Sequence, residues 1–592
     1  MVARTLITTA DARTWPEDAN EPVLFLGEWC KIYSRKEKWS VIDAIVEPYH
    51  WNNRKKLYED YKYLSKFYDR ILQEVVLIMN GYHNTDYSIR YWEIVIGPWL
   101  KRFIEITYDR WEMITLVLLN NNIHYTMALK IPDNEVTPDG FGGFASLHED
   151  DLWNHWMYTK IIKFHGSVDT KMVSYLKESK NERSKVSLKL IAINALKRSA
   201  KLINLLSKKN SVFFVSSGFK LLDQFKLEIS LGQIPNPVAP VVLGEMVNYY
   251  NIHDRRKINI NLNYEREFEE FVANILPAQI PVGYLEGFSS LVEIANRQFW
   301  PSNPKVILTS NSDVGDDIFK IWSAGKIEKG AKLIISQHGG NFGSAKWNSL
   351  ERHQISIADE FISWGWDGDK VVSLPSPKLT ALNINKDRNN GGGVLMVVTS
   401  VPRYSYWMYS SPVAGQFNDY ISDQINFVDL LPERILEKLT IKLDCHDYGW
   451  SVKRRLCDSG FEKNIAPLHS DHNLLVSKSR IYIGTYNATT ILEVLVQNIP
   501  IIIFWNPRHW EVRGSSKGDY ELLCEAGILH YSPESAVEKL IAIWDDAEAW
   551  WGCSKVQRAR SAFCHKYAYT SIKWRNIWGN YLRSHIKEPS NE

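Results

Sequence analysis

The segment Ser479–Pro507, SRIYIGTYNATTILEVLVQNIPIIIFWNP, constrains the fold more than any other part of the chain. Ile481–Ile483 is apolar and reads as a strand. Leu492, Val494 and Leu495 give an apolar side to a short helix, which Ile499-Pro500 ends. Ile501–Phe504 is a continuous apolar run, the signature of a strand covered on both faces. Strand, turn, helix and strand in this order define a parallel α/β unit. Thr485, Asn487, Thr489 and Thr490 place small polar side chains where the helix begins. Free N–H groups and the helix dipole favour an anion there, so the turn is a candidate phosphate site. Glu493, one turn in, is placed to meet a sugar hydroxyl. An ordinary βαβ unit with threonines that only cap the helix would read the same way.

A chain of 592 residues is long for one core, so two domains and an insertion are expected. The 70 basic and 68 acidic residues leave a net charge of +2, which excludes a global nucleic-acid signature. The six cysteines contain no C-x-x-C pair, so neither a zinc site nor a disulfide framework is expected. The amino terminus lacks the apolar core of a signal peptide. No run approaches the roughly 18 apolar residues of a membrane span. The expectation is a cytoplasmic protein with reduced thiols and no cofactor.

The first half reads as mostly helical to about residue 165. A short strand at Val23–Leu26 and a second strand or turn region at Val41–Val46 precede an amphipathic helix over Asn53–Asn80. Tyr91–Tyr108 is a second helix, interrupted at Gly97-Pro98, and Trp111–Asn120 and Ser146–Lys163 follow. Val186–Leu206 is a basic amphipathic helix carrying Lys189, Lys197, Arg198 and Lys201. It fits either a solvated protein face or peripheral contact with anionic lipid. Strands are expected at Val212–Val215, Val306–Thr309 and Leu333–Ser336. The turn-rich NKDRNNGGG of Asn385–Gly393 is the linker candidate. Beyond it, strands at Val394–Thr399, Leu439–Leu443, Arg480–Ile483 and Pro500–Phe504 make a second α/β unit. The boundaries are 1–384, with helical insertions over about 53–210, and 394–592.

LIISQHGGNFG, Leu333–Gly343, is the second informative stretch. A buried strand delivers Gln337-His338 to its carboxyl end, and Gly339 and Gly340 let backbone approach a ligand. His338 is a candidate general base or phosphate contact. In HDYGWSVKRRL, Arg454 or Arg455 suits a donor phosphate or carboxylate. Glu28 is a candidate catalytic carboxylate, and His50, Trp51 and Arg54 are candidate acceptor contacts. Glu351 and His353 rank behind these. Asp367-Gly368-Asp369 reads as a turn rather than a metal clamp, so no metal is assigned. There is no P-loop and no G-x-S-x-G elbow.

FLGEWC, YHWNNRKKLYEDYKYL, YWEIVIGPWL, SQHGGNFG, ADEFISWGW, DYGW, YNATTILEVLVQNIPIIIFWNP and EAGILH together resemble one family, over nearly the whole chain. It is the transferase family of bacterial surface polysaccharides first described from Leptospira O-antigen loci. The resemblance implies a GT-B-like α/β glycosyltransferase, with two Rossmann-like domains facing a cleft and a helical amino-terminal elaboration. It implies a nucleotide-sugar donor and a glycan or lipid-linked glycan acceptor, at the inner membrane surface when the acceptor is lipid-linked. The strand-end His-Gly also resembles capsule Kdo and nonulosonate transferases, which use CMP-linked acidic sugars. Teichoic-acid glycerophosphotransferases are similar too, but Gln337-His338-Gly339-Gly340 lacks the Trp and Thr of their W-H-G-T loop. Polyol-phosphate transfer and a non-catalytic assembly role remain the alternatives.

Overall fold

The computed structural model describes residues 2–18, 20–175, 206–237, 249–382 and 392–586. Residues 186–205 of the expected basic helix and 385–391 of the expected linker lie outside them. Among the described residues, three five-stranded sheets, all parallel in their pairings, organise the fold. The first comprises β1 (Arg4–Ile7), β2 (Val23–Phe25), β3 (Ala44–Val46), β4 (Ile123–Leu129) and β5 (Asp169–Val173), in the order β3-β2-β1-β4-β5. The second comprises β6 (Val212–Val215), β7 (Val306–Thr309), β8 (Lys332–Ser336), β9 (Glu360–Ser363) and β10 (Val371–Ser373), in the order β10-β9-β8-β7-β6. The third comprises β11 (Gly393–Val397), β12 (Leu439–Lys442), β13 (Ser479–Gly484), β14 (Ile501–Phe504) and β15 (Leu529–His530), in the order β12-β11-β13-β14-β15.

The α/β units on either side of residues 383–391 are those the sequence implies. The amino-terminal elaboration differs from its helical reading, because its helices sit on a sheet of their own. Four of that sheet's strands are only three to five residues long. Two long helices dominate this region: α1 (Arg54–His83) and α2 (Ile89–Asn120). α2 runs unbroken through Gly97-Pro98, where the sequence suggests an interruption. Pro98 removes one helical hydrogen bond, but the helix is buried along most of its length and packing holds it. Gly97 is the close-contact point, since a Cβ there would stand 2.8 Å from both His353 Cε1 and Tyr68 Oη.

The second and third sheets are locked together around α3 (Ser349–Ile357) and the loop before it. Ala345 bridges Val512, and Asn348 bridges Tyr409. Arg513 donates to Glu351 at 2.8 Å, and Glu351 also accepts the Gly343 N–H at 2.7 Å. In the third unit, α4 (Thr489–Val496) follows β13. The chain then crosses back, and α5 (Trp574–Ile586) covers the second sheet with Trp578 and Leu582 against Val212, Phe214, Leu308 and Ile334. Among the described residues, no helix is long and apolar enough to cross a membrane.

Candidate active site

The carboxyl ends of β8 and β13 meet. β8 is apolar from Leu333 to Ile335 and buried, so it delivers Gln337 and His338 at a fixed position. Gln337 is 2% exposed and ties the loop together. Its amide donates to the Gly339 carbonyl at 2.7 Å, while its Oε1 accepts from the Trp364 N–H and the Trp366 indole. His338 is half-buried, with its ring edge-on to Phe342 at 5.2 Å. Burial pulls its pKa below the usual imidazole value and the charge of Lys378 adds to this, against a backbone hydrogen bond at Ser310. The imidazole is therefore neutral near pH 7, the form a general base needs.

Facing it is the start of α4. Ala488 stands at the N-cap with no side-chain cap on the helix, which leaves first-turn N–H groups for an anion. The Gly340 N–H donates to Thr489 Oγ1 at 2.8 Å. A Cβ on Gly340 would lie 2.4 Å from the Ala488 carbonyl carbon, so only glycine fits this approach. The Thr490 hydroxyl donates to Tyr486 Oη at 3.2 Å, and the Asn487 amide to Tyr520 Oη at 2.9 Å. Glu493 pairs with Lys378 at 2.8 Å, a cation contributed by the second unit. Thr485 is buried and bonds to the Val397 carbonyl and Tyr420, so it serves the sheet rather than the turn.

His338, Gly339, Gly340, Thr489, Thr490, Asn487 and Glu493 thus come together at one junction. Arg454 and Arg455 separate. Arg454 reaches the Ser34 carbonyl at 3.4 Å and lines a cavity of about 530 Å³ over β11 and β12. Arg455 bonds the Trp450 carbonyl at 3.0 Å and stacks on Tyr33, with its guanidinium 4.4 Å from the ring centre. Glu28 pairs with Lys31 and lines another cavity, of about 320 Å³, with Glu47, Asn52 and Asp419.

Of the expected acceptor residues, His50 and Trp51 are buried and Arg54 is half-buried. His50 sits 3.1 Å from Asp109 Oδ1 and also contacts Lys56. Trp51 is fully buried and donates to Asp60 at 2.8 Å. Arg54 clamps Glu511 at 2.7 and 2.8 Å and lies over Trp347. In this arrangement all three tie the first unit to itself or to the third, because their partners consume the polar atoms an acceptor would use. Asp367 and Asp369 are exposed on the β9–β10 turn, where Lys370 has φ 55°. Among the described residues, Asp444, Cys445 and His446 offer donor atoms within 4.8 Å of one another.

The sequence reading passed over Lys378 and the serines beside His338. Ser310 is 3% exposed with an unpartnered Oγ, and the Ser312 hydroxyl donates to Ser216 at 3.0 Å. The signal was present in TSNSD and VSSG, polar runs immediately after β7 and β6. Lys378 carries no local signal, because its partner Glu493 is remote in sequence.

The second and third units thus join at a strand-end histidine and a helix N-terminus. The chain belongs to the LIC12162 family of transferases, whose family model matches residues 4–582. No curated protein matches the chain. Similar solved structures include MurG from Acinetobacter baumannii, at 11% identity over 52% of this chain and 81% of that one, with a TM-score of 0.30. An O-GlcNAc transferase mutant from Thermobaculum terrenum shares 10% identity over 83% of this chain and 89% of that one, with a TM-score of 0.30. WaaG, a glycosyltransferase involved in lipopolysaccharide biosynthesis, shares 10% identity over 50% of this chain and 94% of that one, with a TM-score of 0.27. Likeness at these scores carries no weight for mechanism.

Proposed function

We propose that the chain is a glycosyltransferase that moves a sugar from a nucleotide-activated donor to a surface-glycan or O-antigen acceptor. Residues up to 384 form the acceptor side and 394–592 the donor side. The observation that carries this reading is the direct junction of the His338 loop with the uncapped start of α4, sealed by the Gly340–Thr489 hydrogen bond. A donor phosphate at α4 would sit beside a neutral imidazole able to take the proton of an acceptor hydroxyl. Lys378 adds a cation at the same place.

Thermal-shift titration with CMP, CDP, UDP, GDP and dTDP tests the donor class. A nucleotide at one hundred times its Kd stabilises a protein by about 2.7 kcal/mol. Thr490→Val deletes a hydroxyl at the phosphate turn, and one hydrogen bond to a charged group is worth about 1.5–3 kcal/mol. Nucleotide affinity should therefore fall about ten- to hundredfold. Unchanged affinity in both the Thr489→Val and Thr490→Val variants would remove the turn from the donor site.

A lipid-linked acceptor would bring the enzyme to an anionic surface. Each basic residue near such a surface contributes about 1 kcal/mol, and salt screens it. Reversing Lys189, Lys197, Arg198 and Lys201 to Glu should abolish co-sedimentation with anionic vesicles at low salt. Binding that ignores the reversal rejects the membrane contact and leaves glycosyl transfer standing.

A further inference from the structure

The cavity beside Arg454 has a volume of about 530 Å³, within the range of small-ligand sites, roughly 300–1,000 Å³. It lies over the carboxyl ends of β11 and β12, the edge of a parallel sheet where ligands bind. Its lining is mainly apolar. Val398 and Leu443 continue the two strands, and Val452 and Leu468 complete the walls. Ser34, from the first unit, closes one side. Polar groups share the lining: Asp444, His446, Asp447, Lys453, Arg454 and Ser400, whose Oγ is buried without a partner.

We propose that this cavity receives the base and ribose of a nucleoside phosphate. The identity of that ligand as a nucleotide rests on the glycosyltransferase reading, while its place does not. A flat heterocycle needs apolar walls, and these stand on both strands. A ribose diol needs a carboxylate acceptor. In nucleotide-binding parallel sheets that carboxylate follows the second strand of the unit. Asp444 stands two residues beyond the end of β12, the second strand here. Lys453 and Arg454 place positive charge at the rim, where phosphates would leave the cavity. The cavity and α4 also belong to one neighbourhood. Burial raises the Tyr486 hydroxyl to about 12, and the charge of Asp444 adds to that rise. The same hydroxyl accepts the Thr490 hydrogen bond at the start of α4. A nucleotide seated over β11 and β12 would therefore point its phosphates along the β11 end toward the turn.

Cys445 gives a direct readout. It is exposed, lines the cavity, and lies with its Sγ 3.2 Å from His446 Nδ1. Cys553 is also exposed but lies outside the cavity, so it serves as the internal control. The full chain is alkylated with N-ethylmaleimide, and the rates at the two cysteines are followed by peptide mass spectrometry. CMP, CDP, UDP, GDP and dTDP are added in turn. At ten times its Kd, a nucleotide that raises Tm should slow Cys445 alkylation about tenfold by mass action and leave Cys553 unchanged. Leu468→Trp fills the cavity from a position that is 45% exposed, and should abolish the protection while Tm without nucleotide is kept. If a nucleotide raises Tm but leaves the Cys445 rate unchanged, or slows both cysteines equally, the cavity is not the nucleoside site and the glycosyltransferase reading survives. If no nucleotide raises Tm, both fall together.

Discussion

Gly340→Ala is expected to lower stability and activity together. The new Cβ would stand 2.4 Å from the Ala488 carbonyl carbon and 2.6 Å from the Thr489 nitrogen. Both are backbone atoms at the start of α4, so no rotamer change relieves the clash. Either the His338 loop withdraws and loses the hydrogen bond to Thr489, or the first turn of α4 moves and the candidate anion site moves with it. Overpacking of this kind typically costs about 1–3 kcal/mol. The matched control is Gly339→Ala. Its Cβ would meet only Thr489 Oγ1, at 3.4 Å, which a small side-chain shift accommodates. Scanning calorimetry and donor turnover should therefore separate the two alanine variants, with Gly340→Ala clearly worse in both. Equal behaviour of the pair would mean that the two units do not touch here in solution.

His338→Ala should reduce turnover about 10²–10⁴-fold, the usual contribution of a general acid–base group. Tm should change little at neutral pH, because the ring stands at a loop position beyond the end of β8. The pH dependence gives a second readout. The pKa of His338 is lowered on folding, so the folded state disfavours the protonated ring. Its contribution to stability is complete above the unfolded value of about 6.5. That contribution is lost as pH falls from there through the lowered folded value. The alanine variant should lose less stability than wild type between neutral pH and pH 5. Wild-type turnover should hold to a pH below the ordinary imidazole range and then fall. Full turnover of His338→Ala on a real acceptor would end the catalytic assignment.

The third sheet was legible because burial on both faces leaves continuous apolar runs. Ile501–Phe504 and Ile481–Ile483 lie almost where the sequence places them. The first sheet was legible only in part. β2 and β3 lie within the expected Val23–Leu26 and Val41–Val46, whereas β5 shows mostly exposed side chains and carries no apolar run. β1 and β4 were hidden by the long helices inserted between them. α2 was read as two helices because local propensity counts Gly97-Pro98 as a break, whereas contacts with α1 and α3 override it. The site divides in the same way. His338 and Thr489 sit at strand ends and helix starts, which sequence patterns reveal. His50, Trp51 and Arg54 also follow a short strand, but their partners Asp109, Asp60 and Glu511 are fixed only by tertiary packing. Nothing local could tell a clamp from an acceptor contact.

The return of α5 to the second sheet has a consequence for biosynthesis. β10 ends at Ser373, and α5 begins at Trp574, about 200 residues later. At translation rates of about 5–20 residues per second, the apolar face that Trp578 and Leu582 will cover stays open for roughly 10–40 s. During that interval Val212, Phe214 and Leu308 are available to chaperones, or to another nascent chain on the same message. The second sheet therefore cannot reach its finished form as each segment emerges. The first unit has all its strands by residue 173, yet α2 waits for α3 to pack against it.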